Sequence, residues 1–239
     1  MCSCALILLL LLKILVLISI PAGASNYMYQ SQEKWEEEWG KGLWDYMDVQ
    51  TTERSKNAVI GSVFTQEVIG KNGTLLDVGC GEGAISDHLL PTQIYVGMDI
   101  SKEAIRRAKE KRGANQGSTE NNVISANIMS HQRKFVHMNA YDFVPSHKFD
   151  VIVFSDMLYY LDHENLLKQY ARYLNPGGHV IIAIFAKSTD KLMYENIFST
   201  ARALFNKVDE IDVGGWTMKR QNGKREKTAF HLEMYKAIT

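Results

Sequence analysis

The 239-residue chain predicts an α/β fold, a doubly wound, mostly parallel seven-stranded sheet that ends in an antiparallel C-terminal hairpin. Three observations carry this. Apolar runs rich in Val and Ile alternate with helical stretches, as parallel strands joined by crossover helices require. The first run, Leu75-Leu76-Asp77-Val78, opens into Gly79-Cys80-Gly81-Glu82-Gly83, where three positions without side chains let a backbone press against a ligand. Near the far end, Asn222-Gly223 sits between strand-like stretches at 215–218 and 228–235 and is the best hairpin signal in the chain.

In chain order, residues 5–20 are apolar apart from Lys13 and Ser19, and Ala22-Gly23-Ala24 follows with the small-x-small pattern of a cleavage site. Residues 1–24 are therefore expected to be a secretory signal, cut before Ser25, or alternatively an uncleaved membrane anchor. Residues 25–44 are aromatic and acidic, with Tyr27, Tyr29, Trp35, Trp39 and Trp44 among Glu33, Glu36, Glu37 and Glu38. They read as a helix packing its Trp face on the domain or as a lid over a site. The remaining 45–239 form the main domain. Its residues 45–70 suit a helix, with Val59, Ile60, Val63, Phe64 and Val68 near a 3.6 period. Asn72-Gly73-Thr74 matches a glycosylation sequon but reads more simply as a turn into the first strand.

After the glycine loop, residues 84–90 suit a helix ended by Pro91, residues 94–98 a second strand, and Ser101 an N-cap for the next helix. Residues 113–134 lack a period and read as a long exposed loop. Strands follow at 135–138, 149–154 and 180–185, with a helix at 164–174 and a break at Asn175-Pro176-Gly177-Gly178. Lys219, Arg220, Lys224, Arg225 and Lys227 make a basic hairpin tip, read as a solvated face.

Asp99 ends the second strand twenty residues after Gly79, where a carboxylate could accept from both hydroxyls of a ribose. A nucleoside-bearing cofactor follows from that pairing. Gly79-x-Gly81-x-x-Ala84 with Asp99 also satisfies the permissive dinucleotide fingerprint, so the loop alone leaves nicotinamide chemistry open. Asp77 discriminates, because it puts negative charge beside the helix start that a pyrophosphate would occupy. A cationic ligand suits it better, and S-adenosylmethionine carries a sulfonium and an ammonium but no phosphate. Tryptophan rings nearby would stabilise such a sulfonium by cation–π attraction.

Lys plus Arg equal Asp plus Glu at 27 each, so no global field favours a polyanion, and nucleic-acid binding loses its compositional support. A small-molecule acceptor is the better expectation. Of the three cysteines, Cys2, Cys4 and Cys80, one lies beyond the first twenty residues, which excludes a disulfide framework or a cysteine zinc site in the main domain. No metal is expected: His88 and His137 have no metal-ligand spacing with another His.

Taken together, Asp-x-Gly-x-Gly-x-Gly, the acid ending strand two, Phe149-Asp150-Val151-Ile152-Val153, Asn-Pro-Gly-Gly and the terminal hairpin resemble the class I S-adenosylmethionine-dependent methyltransferases, whose fold is Rossmann-like. Trp44-Asp45-Tyr46, Glu53-Arg54-Ser55 and residues 154–161 narrow the likeness to the NodS-like branch. The resemblance implies that Gly79 and Gly81 line the methionine portion, with Asp77 ordering the loop or the ammonium. It implies Asp99 at the ribose, Ile100 against adenine, Asn139-Ala140 where the family carries Asp-Ala at the adenine amine, and Asp142 as an alternative in another register. Ser155 would approach the sulfonium side, and Arg54 could pair with the methionine carboxylate.

Methyl transfer is an in-line displacement in which the protein mainly aligns the acceptor. A hydroxyl acceptor needs its proton removed; a neutral amine does not. Asp156, Tyr159, Tyr160 and His163 cluster where the acceptor should enter, and Asp156 is the first choice of base, with acceptor hydrogen bonding its alternative role. The expected activity is methyl transfer to N or O of a small molecule, with a saccharide implied by the branch resemblance. A non-catalytic nucleoside-binding protein remains the rival.

Overall fold

A computed structural model describes residues 30–113, 133–186, 191–219 and 225–238. The signal or anchor reading of 1–24, most of the 113–134 loop, the Asn222-Gly223 turn and the hairpin-tip residues Arg220 and Lys224 lie outside these. No helix among the described residues is long and apolar enough to cross a membrane.

Seven strands form one sheet in the order β3-β2-β1-β4-β5-β7-β6. They are β1 (Thr74–Val78), β2 (Ile94–Asp99), β3 (Arg133–His137), β4 (Phe149–Ser155), β5 (Leu174–Ala186), β6 (Phe205–Lys219) and β7 (Arg225–Ala237). The first five run parallel, while β7 lies antiparallel between β5 and β6. Side chains alternate across the sheet with the strand period of two. Leu76, Val78, Ile152 and Phe154 face one apolar layer with Tyr170 and Ile197; Leu75, Val151 and Val153 face the other with Ile60, Phe64 and Tyr95. Burial on both faces explains why these strands read as unbroken apolar runs.

The helices are α1 (Gln32–Gly40), α2 (Thr51–Ala58), α3 (Thr65–Ile69), α4 (Lys102–Arg112), α5 (His163–Ala171) and α6 (Lys191–Leu204). The segment expected to be one helix over 45–70 starts as a 3-10 turn, Asp45–Asp48, and α2 joins α3 through a π-helical turn, Val59–Phe64. Thr65 explains that turn, since both its backbone N–H and its hydroxyl (2.6 Å) donate to the Ile60 carbonyl five residues back. The wider turn leaves Val63 exposed, against the apolar stripe expected of it. Residues 84–90 form no α-helix but a 3-10 turn, Ala84–His88. Pro91 disfavours helical backbone before it, and Leu89 is already extended.

Asn175-Pro176-Gly177-Gly178 does not end a helix ahead of β5 but forms a bulge within it, between the pairs Phe149↔Leu174 and Val151↔His179. Asp150 anchors the bulge by accepting from Asn175 Nδ2 (2.7 Å), while its other oxygen accepts from Thr74 N (2.8 Å). Lys71 and Asn72 form the expected turn into β1. β6 and β7 are far longer than the predicted hairpin arms, and α6 was not expected at all, although Tyr194, Ile197, Phe198 and Ala201 mark its buried face at helical spacing.

Candidate active site

Chain order reverses between β1 and β4, because β2 and β3 lie to one side of β1 and the later strands to the other. The crevice beyond the carboxyl ends of such strands is where α/β sheets bind ligands. Here the loops after β1 and β4 approach so closely that a Cβ on Gly79 would sit 3.0 Å from the Met157 Cβ. Gly79 and Gly81 hold φ of 73° and 54°, in the left-handed region that glycine tolerates. Gly83 serves packing instead: a Cβ there would fall 2.2 Å from the Phe135 ring, under the loop.

A cavity of about 620 Å³ opens above this switch point. Gly79, Gly81, Asp99, Ile100, Asn139, Ala140, Ser155 and Asp156 all line it, so most of the residues expected at the site converge there. Asp99 accepts from Gly81 N on one oxygen and Ser101 N on the other, both at 2.9 Å, which couples the β2 tip to the glycine loop. Asn139 Oδ1 accepts from Tyr141 N at 3.0 Å. Asp142 is exposed and outside the lining, whereas Asn139 lines the cavity.

Asp77 lies beneath the loop, 1% exposed. One oxygen accepts from the Tyr95 hydroxyl at 2.7 Å; Oδ1 is buried with no hydrogen-bond partner. Burial pushes its pKa up to about 7, against a smaller opposing effect of the Tyr95 hydroxyl and the Lys56 charge. Asp77 does not line this cavity but a smaller pocket beside it that shares Gly79 and Ser155. Two donors facing the cavity, Gln30 Nε2 and Trp44 Nε1, are likewise buried without acceptors. Glycine cradle, orphaned carboxylate oxygen and cavity size together fit a nucleoside carrying a cationic tail.

One assignment changes. Arg54 is exposed and does not line the cavity, so it does not face a bound methionine carboxylate. One helical step turns a side chain by about 100°, and the inward position belongs to Glu53. Asp156, the expected base, has both oxygens engaged: Oδ2 accepts from Lys56 Nζ at 2.6 Å and Oδ1 from Phe185 N at 2.7 Å. Neither oxygen is free of a protein donor, and its φ of 55°, unusual outside glycine, is held by those contacts. Asp156 thereby ties the end of β4 to α2 and β5.

Lys56 is the residue that sequence reasoning missed. It is 1% exposed, 2.8 Å from Glu53 Oε2, and lies 4.4 Å from the centre of the Phe230 ring. Burial alone would discharge it, but Asp156 and Glu53 hold its pKa above the usual lysine value. Burial, reinforced by the Asp156 charge, keeps Glu53 above the ordinary carboxylate range despite Lys56. Partial burial with Glu53 and Asp156 pushes Tyr46 up to about 12, and burial pushes Tyr159 well above its ordinary value, so neither phenol ionises near neutrality.

The N-terminal segment roofs the cavity. Trp35, Trp39 and Trp44 line it together with Tyr46, Tyr159 and Tyr160. Trp39 is buried over the loop, 3.1 Å from where a Gly81 Cβ would stand. Glu36 fastens α1 by accepting from Ser101 Oγ (2.9 Å), Lys102 N (2.6 Å) and Glu103 N (3.1 Å) at the start of α4. Ser101 caps the same helix end as expected, accepting from Ala104 N at 3.1 Å.

Sheet order, glycine cradle and acidic β2 tip define a class of protein, the Rossmann-like enzymes that use a nucleoside-bearing methyl donor. The chain belongs to the Methyltransferase domain family, whose model matches residues 57–228. Its fold is that of the class I S-adenosylmethionine-dependent methyltransferases. NodS, an N-methyltransferase from Bradyrhizobium japonicum WM9 solved with S-adenosyl-L-homocysteine, shares the fold with a TM-score of 0.63 at 18% identity, covering 85% of this chain and 98% of that one. The [4+2]-cyclase SpnF shares it with a TM-score of 0.59 at 14% identity, over 89% and 99%. Phosphoethanolamine N-methyltransferase 1 of Zea mays is 30% identical over 140 residues, or 55% of this chain; the chain spans about a quarter, 25%, of that relative's length.

Proposed function

We propose that the enzyme transfers the methyl group to a nitrogen of a small-molecule acceptor. The observation that carries this is the single cavity, in which the glycine cradle and Asp99 share the lining with aromatic rings and Glu53. Both N-methyltransferases named above support nitrogen as the target, and a nitrogen with a free lone pair needs no strong base. When bound, S-adenosylmethionine supplies a methyl carbon activated by its sulfonium. Gly79 and Gly81 would hold its methionine portion, Asp99 the ribose, Ile100 the adenine face, Asn139 and Ala140 the adenine amine, and Ser155 the sulfonium side. Asp77 would balance the positive charge from below.

Because a cyclase shares this fold, the test follows the methyl itself. Labelled S-adenosylmethionine should pass its methyl to an amine, and calorimetry should detect S-adenosyl-L-homocysteine. Asp99→Ala should weaken that product's binding about tenfold or more by removing a charged hydrogen-bond acceptor. Unchanged affinity would remove Asp99 from the ribose. An amino-sugar or saccharide acceptor is the second reading, supported by the likeness to NodS. Residues 1–24 are carried forward as a secretory signal or a membrane tether, which N-terminal sequencing of the expressed protein tests.

A further inference from the structure

The acceptor end of the cavity has a wall of aromatic rings. Tyr159 and Tyr160 lie 4.5 Å apart, Tyr160 meets Trp35 edge-on at 4.9 Å, Trp35 meets Trp44 at 5.7 Å, and Trp44 meets Tyr46 at 6.0 Å, all between centroids. Two carboxylates, Glu53 and Asp156, stand beside this wall, joined through Lys56. Burial raises the proton affinity of Tyr46, Tyr159 and Tyr160, and the charge of Asp156 adds to it at all three, with that of Glu53 at Tyr46.

The charge balance is one-sided. Glu53, Asp99 and Asp156 line the cavity, and among the described residues no Lys, Arg or His lines it. Lys56, outside the lining, bridges Glu53 and Asp156, so one cation stands against that pair of carboxylates. Ring faces and an excess of negative charge together attract organic cations, whereas neutral sugars gain little from them. A phosphate ester would bring about −2 of charge against acids, with no cation to receive it.

We propose that this chamber selects a phosphate-free alkylammonium acceptor, held against Trp35, Trp44, Tyr46 and Tyr160 with Glu53 as its counter-charge. The proposal rests on the methyl-transfer reading above and names its acceptor class. It also separates this chain from the plant relative, whose name specifies a phosphorylated amine. Glu53 Oε2 is engaged by Lys56, while Oε1 has no hydrogen-bond partner among the described residues. An ammonium with an N–H gives that proton to Glu53, which passes it to solvent. The freed nitrogen lone pair forms the N–C bond as the C–S bond breaks, its electron pair going to sulfur. The product is again an ammonium, with one more methyl, so the wall suits successive transfers.

Calorimetry on the full chain saturated with S-adenosyl-L-homocysteine tests this, with three titrants: choline, its neutral carbon analogue 3,3-dimethyl-1-butanol, and phosphocholine. Choline should bind about tenfold or more tightly than the neutral analogue, and more tightly than phosphocholine. Glu53→Gln should erase the preference for charge. Equal binding of choline and the analogue, or tightest binding of phosphocholine, overturns the proposal. Failure of S-adenosyl-L-homocysteine to bind sinks the methyl-transfer reading and this proposal with it. In a parallel assay, labelled transfer to dimethylaminoethanol supports the proposal; transfer to glucosamine alone overturns it and leaves methyl transfer to nitrogen standing.

Discussion

Replacing Lys56 with Met removes the cation between Glu53 and Asp156 while keeping a side chain of similar length. Lys56 stands 2.6 Å from Asp156 and 2.8 Å from Glu53 at 1% exposure, so the variant leaves two carboxylates facing each other with little water. Breaking a buried pair in this way costs about 3–5 kcal/mol. For a chain of this size each kcal/mol moves Tm by about 2–4 °C, giving an expected drop of about 6–20 °C at pH 7. Differential scanning calorimetry reads it. The penalty comes from ionised acids, and Glu53 already holds its proton more tightly than usual, so acidifying to pH 5 should restore part of the loss relative to wild type. Adding Glu53→Gln to the variant should do the same at pH 7. A drop below about 2 °C at pH 7, or a deficit that does not shrink on acidification, would refute the idea that Lys56 neutralises this pair.

Asp77 gives a pH prediction for the ligand-free protein. Its folded pKa of about 7 exceeds the ordinary 3.8, so the stability it contributes is complete below about 4 and is lost as pH rises to about 7. Denaturant titrations across that window should show a decline on the order of 4 kcal/mol, which Asp77→Asn flattens; an unchanged slope in the variant would exonerate Asp77. At pH 6, binding of a cationic donor should release a proton from Asp77, visible as a dependence of binding heat on buffer ionisation enthalpy. Gly83→Ala should destabilise strongly, since its Cβ meets Phe135 at 2.2 Å and φ is 79°. Gly81→Ala meets Trp39 at 3.1 Å, at the cavity wall, and should weaken S-adenosyl-L-homocysteine binding more than it lowers Tm.

The glycine cradle, the Asp99 tip and the parallel strands were legible because each follows from local chemistry: absent side chains, an acid ending an apolar run, and β-branched runs buried on two faces. What escaped was set by distant parts of the chain. A lysine in a helix reads as solvent-facing, and only the return of Asp156 one hundred residues later makes Lys56 a buried ion. Arg54 and Glu53 are neighbours in sequence, yet helix phase sends one to solvent and the other to the cavity. The apolar spacing of α6 was present in the residues and went unread, whereas the π-helical turn at Val59–Phe64 depends on a hydroxyl contact that periodicity does not encode.

Glu36 gives the roof a thermodynamic link to the floor. Its carboxylate collects three hydrogen bonds at the start of α4, two to four residues past Asp99, which itself grips the glycine loop. Any hinge motion that lifts α1 uncaps that helix end and leaves its amides to water. Ligands that tighten the β2 tip therefore also favour a shut vestibule, and ligands that pry the tryptophans apart loosen the tip in return.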